Sequence, residues 1–179
     1  MISKTTNQSK WFAFYVKPRH EKKASERLQL DGFAVFCPLI KTKVKWHDRW
    51  KKVQKPFING YIFAQVTEEE RRELLNDPSV ISTVCRRVNG LNHPAVIRER
   101  EIEAMKFMTR EAKSVEVFEG RAIKRQQIGN KVKVEHGPFS GFEGIIEKFS
   151  TNKISVKLDS LNMQLIVTLE PQDVVMAKE

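Results

Sequence analysis

The run Gly137-Pro-Phe-Ser-Gly-Phe-Glu-Gly144 places three glycines and a proline in eight positions. Such a run forces tight reversals that neither a helix nor a long strand tolerates. Around it Val132 and Val134 alternate with polar residues. Ile145-Ile146, Ile154 to Leu158, Leu165 to Leu169 and Asp173-Val-Val175 read as short strands. Short strands, tight turns and few helical signals predict a small all-β barrel over residues 127–179. About 50 residues suffice for it, with a slim core.

Residues 10–113 read as a separate α+β domain. Trp11-Phe-Ala-Phe-Tyr-Val16 is a buried strand, and a helix follows from His20 to Leu30, closed by Asp31-Gly32. On that helix Ala24 and Leu28 face the sheet, whereas His20, Lys23 and Arg27 share an outward face. Phe33 to Ile40 returns as a strand with a bend at Pro38. Asn59-Gly60 is a turn, and Tyr61 to Val66 a strand with Tyr61, Phe63 and Gln65 on one face. Thr67-Glu-Glu-Glu70 has the spacing of a capping box for a helix ending before Pro78. Val80 to Val88 is a further strand, Asn89-Gly90 a turn, and Arg98 to Lys113 a helix buried through Ile102, Met105 and Met108. The order β-α-β-β-α-β-α predicts an antiparallel sheet with packed helices. Residues 1–9 are expected to be disordered, and residues 114–126, which lack periodicity, to form a linker.

Charge is distributed unevenly. The chain has 32 Lys/Arg against 22 Asp/Glu in 179 residues, a formal +10. Residues 1–60 alone hold 14 basic and 4 acidic side chains, so the whole excess lies in the first third. Such an excess suits a polyanion, nucleic acid first. Its densest part, Lys41 to Lys55, interleaves Trp46 and Trp50 with seven basic residues and one acid. Lys43, Lys45, Arg49, Lys51 and Lys52, with the two indoles, are therefore candidates for backbone contact and stacking on unpaired bases. The competing reading is a solvated hairpin whose tryptophans pack on the domain.

Two cysteines cannot build a disulfide framework, and the absence of a CxxC pair argues against a zinc ribbon. The four histidines are scattered, and no P-loop, GxSxG or HExxH occurs, so no catalytic, cofactor or metal site is expected. The polar N-terminus and the lack of a long apolar run predict a cytoplasmic protein with no membrane partner.

Two patterns then resemble one family. Trp11 to Leu28, Phe57-Ile-Asn-Gly-Tyr61, and Val88-Asn-Gly with Pro94-Ala-Val-Ile resemble the NusG N-terminal (NGN) domain, with Asn59 where the family segment has proline. The stretch from Gly129 to Ile146 resembles a KOW motif, carried here by Gly137, Pro138, Phe139, Gly141 and Gly144. The order implies an NGN domain followed by an SH3-like KOW barrel, closest in type to the specialised RfaH and UpxY paralogs.

The resemblance implies a monomeric, non-enzymatic elongation and antitermination factor. Its NGN domain would bind the clamp helices of the largest RNA polymerase subunit through Phe57, Ile58, Tyr61, Phe63, Thr83 and Val84. The non-template DNA strand would meet Lys17, Arg19, His20, Lys23 and Arg27, and the KOW domain would offer a surface to a ribosomal protein. Three alternatives remain at this stage. They are a housekeeping NusG coupling polymerase to the ribosome or a termination factor, a ribosomal or RNA-binding KOW protein, and an enzyme.

Overall fold

Strand β1 (Lys10–Val16) organises the first part of the chain because it is paired along both edges. One edge carries β5 (Tyr61–Val66), in register Phe12↔Ala64 and Phe14↔Ile62. The other carries β6 (Val80–Thr83) and the short β9 (Val96–Ile97). Outside β5 lies β2 (Ala34–Phe36), giving the antiparallel order β2-β5-β1-β6. The computed structural model describes residues 8–47, 49–111, 116–119, 131–134, 139–148, 153–158, 160–161, 163–168 and 174–176. The chain divides into two compact units, Met1–Glu99 and Arg100–Glu179.

Strand alternation sends Phe12, Phe14, Val16, Ile62, Ala64 and Val66 to one face of the sheet. There they form a buried cluster with Val35, Leu74, Val80 and the Ala24 and Leu28 side chains of α1 (Glu21–Leu30). The helix ends where Gly32 takes φ +94°, a conformation that glycine adopts without steric penalty. Its beginning is fixed by Glu21, whose buried carboxylate accepts the Gly60 N–H at 2.8 Å. That bond ties the helix to the turn preceding β5.

The capping box forms as its spacing predicts. Glu70 N–H donates to Thr67 Oγ1 at 3.3 Å and Thr67 N–H donates to Glu70 Oε2 at 2.7 Å, opening α2 (Glu68–Glu73). A 3₁₀ turn, Leu74–Asn76, follows and ends before Pro78. Replacing Thr67 with Ala should lower stability by about 1 kcal/mol. Urea denaturation checks it: the midpoint should fall while the slope stays unchanged.

Two expected strands are broken by partners distant in sequence. Phe33 to Ile40 splits at Cys37-Pro38 into β2 and β3 (Leu39–Trp46), where the Pro38 carbonyl accepts the Phe57 N–H at 2.7 Å. Strand β3 then pairs with β4 (Arg49–Pro56), as a separate two-stranded sheet among the described residues. Val80 to Val88 splits at Val84, which donates to the Ala13 carbonyl and accepts from Ala95 N–H, both at 2.8 Å. Beyond it β7 (Cys85–Val88) and β8 (Leu91–Pro94) form a second separate hairpin. Its Asn89-Gly90 turn has positive φ at both residues, the geometry such tight hairpins require.

The second unit holds α3, whose full range is Glu99–Glu111, and a six-stranded antiparallel sheet. Ile102, Met105 and Met108 are buried, as their spacing predicts. The strands are β10 (Glu116–Glu119), β11 (Lys131–Val134), β12 (Glu143–Lys148), β13 (Lys153–Leu158), β14 (Met163–Thr168) and β15 (Val174–Met176). Their order is β10-β14-β13-β12-β11-β15. Strand β10 falls where the sequence suggested only linker, because Glu-Val-Phe-Glu offers too short an alternation to read, yet it pairs with β14 over four positions. Among the described residues no helix is long and apolar enough to cross a membrane.

Candidate docking and nucleic-acid surfaces

The face of the first sheet opposite the α1 cluster is aromatic. Tyr15 and Tyr61 are directly paired on β1 and β5, with ring centroids 4.7 Å apart, and Tyr61 donates its hydroxyl to Tyr15 at 2.9 Å. Phe63 lies one pair further along, opposite Phe36 of β2 at 6.1 Å between centroids. The expected polymerase-docking residues Phe57, Ile58, Tyr61, Phe63, Thr83 and Val84 are all buried. In this structure they are interior side chains. Thr83 does not even share the aromatic face. It pairs with Phe14 on the opposite side, where its hydroxyl accepts from Arg71 Nη1 at 2.9 Å. Tyr15, 39% exposed, is the member of the tyrosine pair that reaches solvent.

The cations assigned to DNA divide into two groups. Lys17, Arg19, His20 and Lys23 are exposed around the first turn of α1. The turn closes through His20 N–H donating to the Lys17 carbonyl at 3.0 Å, with Arg19 at φ +65°. Arg27 differs. Its Nε and Nη2 each meet an Asp77 carboxylate oxygen at 2.5 Å, and Nη2 also donates to Ser79 Oγ at 3.0 Å. Arg27 thus anchors α1 to the Asp77–Ser79 segment from the outward face of the helix, its side chain 42% exposed. Burial works to raise the Asp77 pKa, but hydrogen bonds from Arg27 and the Ser79 N–H outweigh it and hold the carboxyl below its usual range.

The basic hairpin β3–β4 is regular from Leu39↔Pro56 to Trp46↔Arg49. Lys45, Arg49, Trp50, Lys51 and Lys52 are exposed; Lys43 and Trp46 are placed by register, their side chains lying outside the described set. In the second unit Phe139 is buried edge-on to Phe142, while Gly141 takes φ +81°. Gly144 sits on β12 between Val132 and Val156. Gly137 and Pro138 lie outside the described residues. Burial pushes the Cys37 thiol up to about 12, with Glu21 and Glu26 adding to the shift, so it stays protonated and unreactive at neutral pH.

A family model described as transcription termination factor NusG matches residues 9–106, more than half of the chain. The chain belongs to the NusG family. Among solved structures it is similar to a structure of domain interaction in Thermotoga maritima NusG, at 18% identity over 96% of this chain and 98% of that one, with a TM-score of 0.56. Two conformations of the MjSpt4:Spt5 complex also match. They are 16% and 17% identical over 94% of this chain, with TM-scores of 0.31 and 0.32. They cover 99% and 97% of those chains. No curated protein matches.

Within this NusG-family chain, two structural features escaped sequence reasoning. Tyr15 looked like one more residue of a buried aromatic strand; only pairing with Tyr61 at the end of β1 reveals its solvent-facing position. Lys22 of α1 donates to Gln54 of β4 at 3.3 Å, linking helix and hairpin across 32 positions that no local signal connects.

Proposed function

We propose that this chain is an elongation and antitermination factor that suppresses pausing and termination by RNA polymerase, a specialised paralog of the RfaH and UpxY type serving long operons such as surface-polysaccharide loci. The match of residues 9–106 to the NusG family carries this reading. The first unit docks on the clamp helices of the largest polymerase subunit, with Tyr15 as the exposed aromatic contact. Tyr61 and Phe63 form the layer that holds it, and Phe57, Ile58, Thr83 and Val84 support the same unit from its interior.

Lys17, Arg19, His20 and Lys23 contact the non-template strand. Cations at a helix N-terminus oppose the helix dipole, so stability alone does not favour them there. A phosphate at that end would meet both the positive side chains and the positive pole of the helix. Residues 127–179 act as a KOW domain presenting a ribosomal-protein surface, and the factor works as a cytoplasmic monomer.

The test is transcription by core polymerase on a template with a strong pause, with and without the full chain. A shortened pause and co-elution with core polymerase support the proposal, whereas retention on ribosomal RNA alone overturns it. A variant carrying Arg19→Glu and Lys23→Glu should still bind core polymerase. Its affinity for an exposed non-template strand should fall about tenfold at low salt, with a salt slope shallower by about 0.7 for each phosphate no longer neutralised.

A further inference from the structure

We propose that the β3–β4 hairpin is a nucleic-acid site in its own right, using one of its two faces: lysines along that face hold the phosphates of a single strand while Trp50 at its tip stacks on an unpaired base. This goes beyond the helix contact proposed above and does not depend on it.

The register separates the faces. Directly opposed residues share a face, and faces alternate along the ladder. Lys41↔Gln54, Lys43↔Lys52 and Lys45↔Trp50 therefore lie on one face; Thr42↔Val53, Val44↔Lys51 and Trp46↔Arg49 lie on the other. On the first face Lys41, Lys45, Trp50, Lys52 and Gln54 are exposed. On the second, Thr42 and Val53 are partly covered. The first face is the more open, and it carries a lysine at every second residue of β3.

This arrangement works against hairpin stability. An isolated two-stranded hairpin is marginal in water, and like charges placed directly opposite, as at Lys43↔Lys52, weaken it further. Neither strand contains an acidic residue to relieve the charge. A polyanion supplies the missing countercharge. Lysines two residues apart on a strand stand about 7 Å apart. A spacing of this order lets neighbouring lysines meet neighbouring phosphates along one strand.

Trp50 points to a base as well as a backbone. It is 67% exposed, and its cross-strand neighbour is Lys45 rather than an aromatic ring that would shelter it. An indole so exposed beside cations is a stacking platform of the kind that binds unpaired bases without sequence preference. Gln54, at the base of the same face, accepts the Lys22 hydrogen bond from α1, which steadies the hairpin against the helix.

The experiment measures binding of the full chain to a fluorescent 15-nucleotide oligo(dT), the matching RNA and the matching duplex, by anisotropy over a range of salt. Trp50→Ala should weaken oligo(dT) binding about tenfold with little change in salt slope, and Trp50→Phe should recover part of the loss. Lys45→Gln with Lys52→Gln should flatten the slope by about 1.4, whereas Arg49→Gln with Lys55→Gln, removing equal charge from the opposite face, should change it much less. Equal RNA and DNA affinities would identify the ligand as any unpaired strand; a DNA preference would narrow it to DNA. Equal effects from the two double variants, or duplex binding as tight as single-strand binding and indifferent to Trp50→Ala, would overturn the proposal. Loss of binding in the Arg19/Lys23 variant alone leaves this face intact, so the two sites fail separately.

Discussion

Phe63→Ala should destabilise the first unit by about 3–5 kcal/mol. The Phe63 side chain is fully buried, flanked in register by Ala13 on β1 and Phe36 on β2, so truncation leaves a cavity within the strand layer. Ala13 offers only a methyl group to the gap, and the rigid backbone of a central strand cannot collapse around it. Urea denaturation, followed through the fluorescence of the three tryptophans, should show a midpoint lowered in proportion. An unchanged midpoint would mean that the ring is not a core element. The consequence for function is direct. Loss of polymerase binding in Phe63→Ala would report unfolding, whereas Tyr15→Ala removes the exposed ring and leaves Phe63 in place.

Why the aromatic face could not be sorted from sequence is clear from these residues. An aromatic at alternating strand positions has the same pattern whether it packs in a core or meets a partner. Tyr61 and Phe63 alternate correctly, and only the tertiary structure decides that both are buried. Local features were legible: the Thr67–Glu70 capping box, the Gly32 helix end, the Asn89-Gly90 turn and the Ile102, Met105 and Met108 face of α3 all depend on residues within a few positions of one another. Breaks imposed from a distance were not. Val80 to Val88 reads as one strand because nothing local marks Val84, whose backbone is claimed by Ala13 and Ala95. The charge of the hairpin was visible at once, but its division into two unlike faces needed the register.

The same distinction governs Arg27, which the helix period placed correctly on an outward face with His20 and Lys23, yet whose partner lies 50 residues away. Asp77→Ala should cost about 2 kcal/mol, because it strips the acceptor from Arg27 and from the Ser79 N–H at 2.7 Å. Asp77→Asn should cost less, since the amide oxygen still accepts one of these bonds. The pH dependence has a definite sign. A carboxyl held below its unfolded pKa adds stability that is complete above that value and disappears as pH falls through the folded value. The wild-type chain should therefore lose stability below about pH 4, and Asp77→Asn should show a flatter decline. A residual slope is expected from Glu68, whose pKa is lowered mainly by its hydrogen bond to Arg71. Parallel declines in the two proteins would show that Asp77 contributes nothing pH-dependent. The pair also bears on the proposed DNA contact. Ser79 accepts from the Lys17 N–H at 2.9 Å as well as from Arg27, so the Asp77–Ser79 segment holds the turn presenting Lys17 and Arg19. Asp77→Asn at neutral pH should weaken non-template strand binding without altering its salt slope, because it loosens the turn while removing none of the cations that face the phosphates.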